Sequence, residues 1–164
     1  MTPTPQRPKA LLIDDDPIAL RLLPCALQAR GFEVLAAQDR ASGLGLLLDE
    51  ILDLDVLVLD LDLPGRAGWA LLNLVRGAGG ERELGIVILA SGVDGPRRAQ
   101  LLGLGADAVV DRSAGPEAAT RAVAKAAAAH RVRASGAPAQ AGGALLRWLG
   151  ARPQATALRH AFGT

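Results

Sequence analysis

Rings are nearly missing from this chain: two Trp, two Phe and no Tyr among 164 residues. So few aromatics leave no stacking platform for single-stranded nucleic acid. A single cysteine, Cys25, cannot close an internal disulfide or build a cysteine-rich metal site, which fits a reducing compartment. No uncharged apolar run approaches the roughly 18 residues that span a bilayer, and the start, MTPTPQRPK, lacks the apolar segment of a signal peptide. The sequence therefore predicts a cytoplasmic protein without membrane contact. Acids are absent from the C-terminal part: residues 118–164 hold 7 Lys and Arg and no Asp or Glu. All 17 acids lie in residues 1–117 beside 11 of the 18 bases, so a body of net charge −6 is followed by a tail of +7. Such a division suits an acidic catalytic or metal-binding body and a basic tail that meets a partner or folds back.

What is present is apolar: 50% of the chain is hydrophobic, enough for one domain with a real core plus a modest appendage. Short apolar runs, ALLI (10–13), FEVLAA (32–37), VLVL (56–59), IVIL (86–89) and AVV (108–110), alternate with amphipathic stretches at about 17–29, 40–51, 68–78, 95–103 and 116–131. Runs apolar on both faces read as strands covered by helices on both sides, hence a parallel sheet. Five βα repeats in about 120 residues predict an α/β flavodoxin-like doubly wound domain of five parallel strands, order 2-1-3-4-5. We place this domain at 8–131, followed by a linker and basic C-terminal tail at 132–164.

Local chemistry marks the joints. Asp16 followed by Pro17 reads as an N-cap with Pro at the first helical position, Gly31 as the stop of that helix, and Asp39 as the cap of the second. Pro116 and Glu117 open the fifth, with negative charge at its positive end. Pro24 falls inside the first helix, where it predicts a kink or a helix in two parts.

In such a sheet, ligands bind outside the carboxyl ends of the strands where the order reverses, here between the first and third. Asp14, Asp15 and Asp16 follow the first strand, and Asp60 and Asp62 the third. At an effective dielectric near 20, two charges about 4 Å apart repel by roughly 4 kcal/mol, so the cluster calls for a cation. Oxygen-only ligands favour Mg²⁺. Asp16 is adequately explained as a cap; three further acids at one crevice are not.

LLIDDDP (11–17), LVLDLDLPGRAG (57–68), IVILAS (86–91) and GADAVVDRS (105–113) together resemble the receiver domain of bacterial two-component response regulators. The resemblance implies that Asp60 is the phosphoacceptor, that Asp14 and Asp15 hold Mg²⁺ with Asp60, and that the backbone carbonyl of Asp62 is a further ligand. It also implies a protein that takes phosphate in cis, at most with slow autodephosphorylation, rather than an enzyme. Its partner would be a histidine kinase or phosphotransfer protein, with a second copy of the chain as another candidate. Three positions depart from the family pattern. Its strand-end hydroxyl falls on Ala90, with Ser91 one place later; its lysine falls on Arg112; its switch aromatic falls on Val109. Arg112 keeps the charge and can clamp a phosphoryl group bidentately, but Lys geometry does not carry over. Two readings follow: phosphorylation with another route of transmission, or a pseudo-receiver that binds partners without phosphorylation. VLDLDLP (58–64) also resembles the nucleophile motif of haloacid-dehalogenase-type phosphatases, with Asp62 as acid/base and Ser91 as second motif. Asp14 and Asp15 precede it in the wrong order for that family.

The remaining residues read more plainly. Cys25, among Leu22, Leu23 and Leu27, is expected to be a buried small hydrophobe. His130, His160, Arg97 and Arg98 are expected to be solvated. The tail is too short for a DNA-binding domain, so no direct DNA contact is expected. Leu145, Leu146, Trp148 and Leu149 form an apolar group expected to dock on this domain or a second copy.

Overall fold

Each apolar run becomes a strand. β1 (Lys9–Ile13), β2 (Glu33–Ala37), β3 (Val56–Asp60), β4 (Gly85–Ala90) and β5 (Ala108–Asp111) form one sheet in the order β2-β1-β3-β4-β5. Every neighbouring pair is parallel. The computed structural model describes residues 6–77 and 84–136. Parallel pairing requires crossovers, supplied by α1 (Ala19–Ala29), α2 (Arg40–Glu50), α3 (Ala67–Gly77) and α4 (Gly95–Gly103), while α5 (Gly115–Gly136) follows the last strand. This is the expected flavodoxin-like doubly wound sheet.

Strand alternation divides the interior into two cores. Leu11, Ile13, Leu57, Leu59, Ile86, Ile88, Ala90 and Val109 face one side, where Leu44 and Leu47 of α2, Leu71 and Leu72 of α3 and Leu101 of α4 pack. Leu12, Val56, Val58, Val87, Leu89 and Val110 face the other, against Leu23 and Leu27 of α1 and Ala119, Val123 and Ala126 of α5. Coverage on both faces is why β3 and β4 are buried at every position. β2, at the edge, is only partly covered.

Small side chains let α5 lie close to the sheet. A Cβ on Gly85 of β4 would meet the Ala126 carbonyl oxygen at 3.1 Å. The helix runs on to Gly136, five residues into the expected tail. Arg131 anchors this extension: Nε and Nη2 donate to the two Asp55 carboxylate oxygens at 2.8 and 3.1 Å, and Nη1 to the Gln6 carbonyl at 2.7 Å. Leu145, Leu146, Trp148, Leu149 and His160 lie outside the described residues.

α1 starts at Ala19 with Ile18, not Asp16, at its N-cap position and no side-chain cap there; Asp16 instead shapes the turn before the helix, its Oδ1 accepting from Ile18 N at 2.9 Å and its carbonyl from Leu20 N at 2.9 Å. Asp39 caps α2 through Ser42 N at 2.8 Å. Gly31, at φ +86°, ends α1 in the left-handed region as expected. α1 is not divided at Pro24 but runs through it. Leu23 and Leu27, buried on either side of the proline, hold the helix to the sheet despite the lost hydrogen bond.

Two further expectations are corrected. Cys25 is exposed, because Leu23 and Leu27 take the inward face and position 25 points away from it. His130 is half-buried rather than solvated, with an Nδ1 that is shielded and unpartnered; burial pushes its pKa below the ordinary histidine value. Among the described residues no helix is long and apolar enough to cross a membrane.

Candidate functional site

The carboxyl ends of β1 and β3 deliver the acids to the crevice. Asp14 follows β1 directly, its N–H bonded to the Ala37 carbonyl at 3.1 Å, and is fully buried; its Oδ1 accepts from Asp16 N at 2.9 Å. Asp60 is the last residue of β3 and is 1% exposed, with Oδ1 accepting from Asp62 N at 2.8 Å. Asp15 is exposed at the mouth. One oxygen from each of Asp14, Asp15 and Asp60 lies within 4.8 Å of the others. An all-carboxylate donor set with one solvent-facing member fits a hard divalent cation that keeps several waters, as Mg²⁺ does.

Arg112, which follows β5, enters this cluster. Its Nη2 lies 2.8 Å from Asp14 Oδ2 and 2.8 Å from Asp60 Oδ2. Burial pushes the Asp14 and Asp60 carboxyls above the ordinary range, and the Arg112 guanidinium with the Asp16 and Asp62 amides pulls the other way. Burial opposes the charge of Arg112 as well, but its bonds to Asp60 and Asp14 outweigh this and raise its pKa. The cluster of Asp14 and Asp60 is thus already bridged by a cationic side chain.

The loop after Asp60 is shaped by backbone. Gly65 at φ +65° and Arg66 at φ +59° turn it through two successive left-handed residues in the short 3₁₀ turn Pro64–Arg66. Arg66 is the one described non-glycine residue with positive φ, a conformation that costs about 1 kcal/mol or more. Gly68 then lets α3 start almost in contact with the strand end. A Cβ there would lie 2.3 Å from the Asp60 carbonyl oxygen and 2.7 Å from Leu61 Cα.

Ala90 and Val109 are buried and apolar on the α2–α4 side, so neither offers a polar group to the crevice. β4 ends at Ala90; Ser91 is exposed one residue beyond it. The Asp62 carboxylate is engaged: Oδ2 accepts from Ser91 N at 2.7 Å and Oδ1 from Arg97 Nη2 at 3.2 Å. Arg97 and Arg98 are therefore not merely solvated. Arg97 Nη1 also donates to the Ser91 carbonyl at 2.6 Å, and Arg98 donates to the Val109 carbonyl. Opposing charge at a helix start is tolerated because both guanidiniums reach beyond the helix, Arg97 to oxygens of the loops after β3 and β4 and Arg98 to a carbonyl of β5. Sequence reasoning missed Arg97 as a contributor to the site. Its position in the first turn of a helix that opens on the crevice was the available signal.

The response regulator receiver domain family matches residues 10–124, which take in the whole crevice. This chain belongs to that family. It is 32% identical over 105 residues to the transcriptional regulatory protein KdpE of Mycobacterium tuberculosis, covering 64% of this chain and 44% of that protein. It is 31% identical over 86 residues to the two-component response regulator ARR10 of Arabidopsis thaliana, covering 52% and 15%. The chain thus spans less than half the length of these relatives. Among solved structures, a response regulator receiver domain protein from Clostridium thermocellum superposes with a TM-score of 0.67 at 22% identity, covering 76% of this chain and 98% of that one. A CheY-like receiver domain protein from Methanospirillum hungatei JF-1 gives 0.67 at 20%, covering 78% and 99%. At these identities the superpositions establish the fold of a receiver domain.

Proposed function

We propose that this receiver domain takes a phosphoryl group on Asp60 from a phosphohistidine of a histidine kinase or phosphotransfer protein. The supporting observation is the Asp60 carboxylate itself, buried at a strand end, held by Asp62 N on one oxygen and by Arg112 on the other, with Asp14 and Asp15 alongside. In this reading a carboxylate oxygen of Asp60 attacks phosphorus and the P–N bond of the donor breaks. The departing imidazole takes a proton, and an aspartyl phosphate forms. Asp62 N fixes the acceptor against rotation, and Arg112 meets the charge that develops on the phosphoryl oxygens. Mg²⁺ held by Asp14, Asp15 and Asp60, with the Asp62 carbonyl as a further ligand, supplies additional neutralisation of those oxygens. The domain then acts as a signalling module rather than as a turnover enzyme. A second copy of the chain is a further candidate partner.

A pseudo-receiver is the second reading, favoured by a specific feature. Arg112 already neutralises part of the acidic cluster, and Ala90 and Val109 offer no polar response to phosphate. The phosphatase reading loses support, since Asp62, its acid/base, is bound to Ser91 N and Arg97. Intact mass after incubation with acetyl phosphate and Mg²⁺ tests the first reading. One phosphoryl mass is expected on the wild type and on Asp62→Asn, and none on Asp60→Asn. An unlabelled wild type leaves the pseudo-receiver; label surviving Asp60→Asn refutes the acceptor.

A further inference from the structure

Receiver-type switching through a strand-end hydroxyl and an aromatic is closed to this chain, because both positions are buried alanine and valine. Another polar connection runs from the acceptor to α4. Asp62 N donates to Asp60 Oδ1 at 2.8 Å, so any group added to Asp60 acts on the residue that carries the Asp62 carboxylate. That carboxylate and the Arg97 guanidinium together grip Ser91 at both main-chain atoms, the N–H through Asp62 at 2.7 Å and the carbonyl through Arg97 at 2.6 Å. Ser91 begins the loop from β4 into α4, and its strand lies beside the acceptor: Leu61 N donates to the Leu89 carbonyl at 2.9 Å. The far end of the same loop is fixed by Asp94, whose Oδ1 accepts from Arg97 N at 2.8 Å. Arg97 thus belongs to the first turn of α4 by its backbone and to the acceptor loop by its side chain.

We propose that Arg97 is a phosphoryl-binding residue that carries the state of Asp60 into the β4–α4 loop. The proposal rests on Asp60 being the acceptor. In the free protein the guanidinium is shared between a singly charged carboxylate and a neutral carbonyl. A phosphoryl group on Asp60 offers nearly two negative charges and three strong acceptor oxygens, the arrangement a guanidinium binds bidentately. The same charge repels the Asp62 carboxylate two residues on. Both effects move Arg97 off Asp62 and off the Ser91 carbonyl, which frees the loop. Arg112 can meet the same phosphoryl charge, but its partners among the described residues are Asp14 and Asp60, so it has no bond into the β4–α4 loop through which to pass that charge on.

The experiment combines intact-mass labelling by acetyl phosphate and Mg²⁺ with amide hydrogen exchange of residues 91–97, on the wild type, Arg97→Gln and Arg97→Lys. In the wild type, labelling should raise exchange at Ser91, whose N–H is held by Asp62, by about tenfold, while Val93, held by Asp111, should change little. In unlabelled Arg97→Gln, exchange should already sit near that raised level and change less than about twofold on labelling. Its aspartyl phosphate should also decay at least about threefold faster, through loss of a phosphoryl ligand. Arg97→Lys should restore most of the lifetime but only part of the loop response, since an ammonium cannot hold two acceptors in a fork. A loop response in Arg97→Gln equal to that of the wild type, with equal lifetime, overturns the role of Arg97 while leaving Asp60 as acceptor. A wild type that takes no label removes the acceptor reading, and this proposal with it.

Discussion

Arg112 Nη2 lies 2.8 Å from Asp60 Oδ2, and the same nitrogen is 2.8 Å from Asp14 Oδ2. One guanidinium nitrogen therefore occupies the gap between two carboxylates that are also candidate metal ligands. A divalent ion held by Asp14 and Asp60 would draw on carboxylates that this nitrogen already engages. In Arg112→Ala the buried acids lose their resident cation, so the metal-free protein should be less stable by about 1–3 kcal/mol. Its stabilisation by Mg²⁺ should exceed that of the wild type. An ion at ten times its dissociation constant adds about 1.4 kcal/mol, roughly 3–6 °C in Tm for a domain of this size. Melting curves of both proteins with and without Mg²⁺ test this; an equal Mg²⁺ shift in the two would exclude the competition.

Gly68 sets how closely α3 approaches Asp60. Because a Cβ would overlap the Asp60 carbonyl and Leu61 Cα, both backbone atoms, no rotamer change relieves the clash. Gly68→Ala should cost about 1–3 kcal/mol despite the better helix propensity of alanine. If Asp60 is the acceptor, its labelling by acetyl phosphate should slow, since the displaced strand end carries its carboxylate. A neutral or stabilising effect in urea denaturation would show that the approach is not tight.

The sheet was legible because its strands are buried on both faces, which leaves continuous apolar runs such as VLVL and IVIL. Asp14, Asp15 and Asp60 were legible for a similar reason: the topology fixes where strand ends meet. Side-chain reach was not. Arg112 was placed at the site by its position after the fifth strand, but its bond to Asp14, 98 positions away, was not, and the bond of Arg97 to Asp62, 35 positions away, was not foreseen at all. Cys25 was misplaced because α1 has an apolar residue outside its inward face, Leu22, which is exposed. The length of α5 was underestimated because its anchor, the Arg131 to Asp55 pair, joins residues 76 apart.

Exposure of Cys25 has a direct consequence. With the thiol at the surface of α1, a water-soluble disulfide reagent should modify one equivalent in the native protein, without the lag that unfolding would impose. Labelling that required denaturant would return Cys25 to the core.

Asp111 holds the end of β5 to the β4–α4 loop. Its carboxylate accepts from the Ser113 hydroxyl at 2.7 Å, from Val93 N at 2.8 Å and from Ser113 N at 2.9 Å. These bonds favour the ionised form and lower its pKa from 3.8 to about 2. A carboxyl with a depressed folded-state pKa contributes stability that is fully present above its unfolded value and lost as pH falls through the folded one. The contribution of Asp111 should therefore be constant above about pH 4 and fade between about pH 4 and 2. Asp111→Ala removes the group, so the stability difference between wild type and variant should be level at neutral pH and shrink over that window. Urea denaturation at a series of pH values measures the difference directly, cancelling the other carboxylates that titrate in acid. Asp39, also held below the ordinary range by Ser42, serves as the control: it lies at the start of α2, and its titration remains in both proteins. A difference that stays level down to pH 2, or that grows as acid is added, would mean that Asp111 does not anchor the β4–α4 loop through its charge.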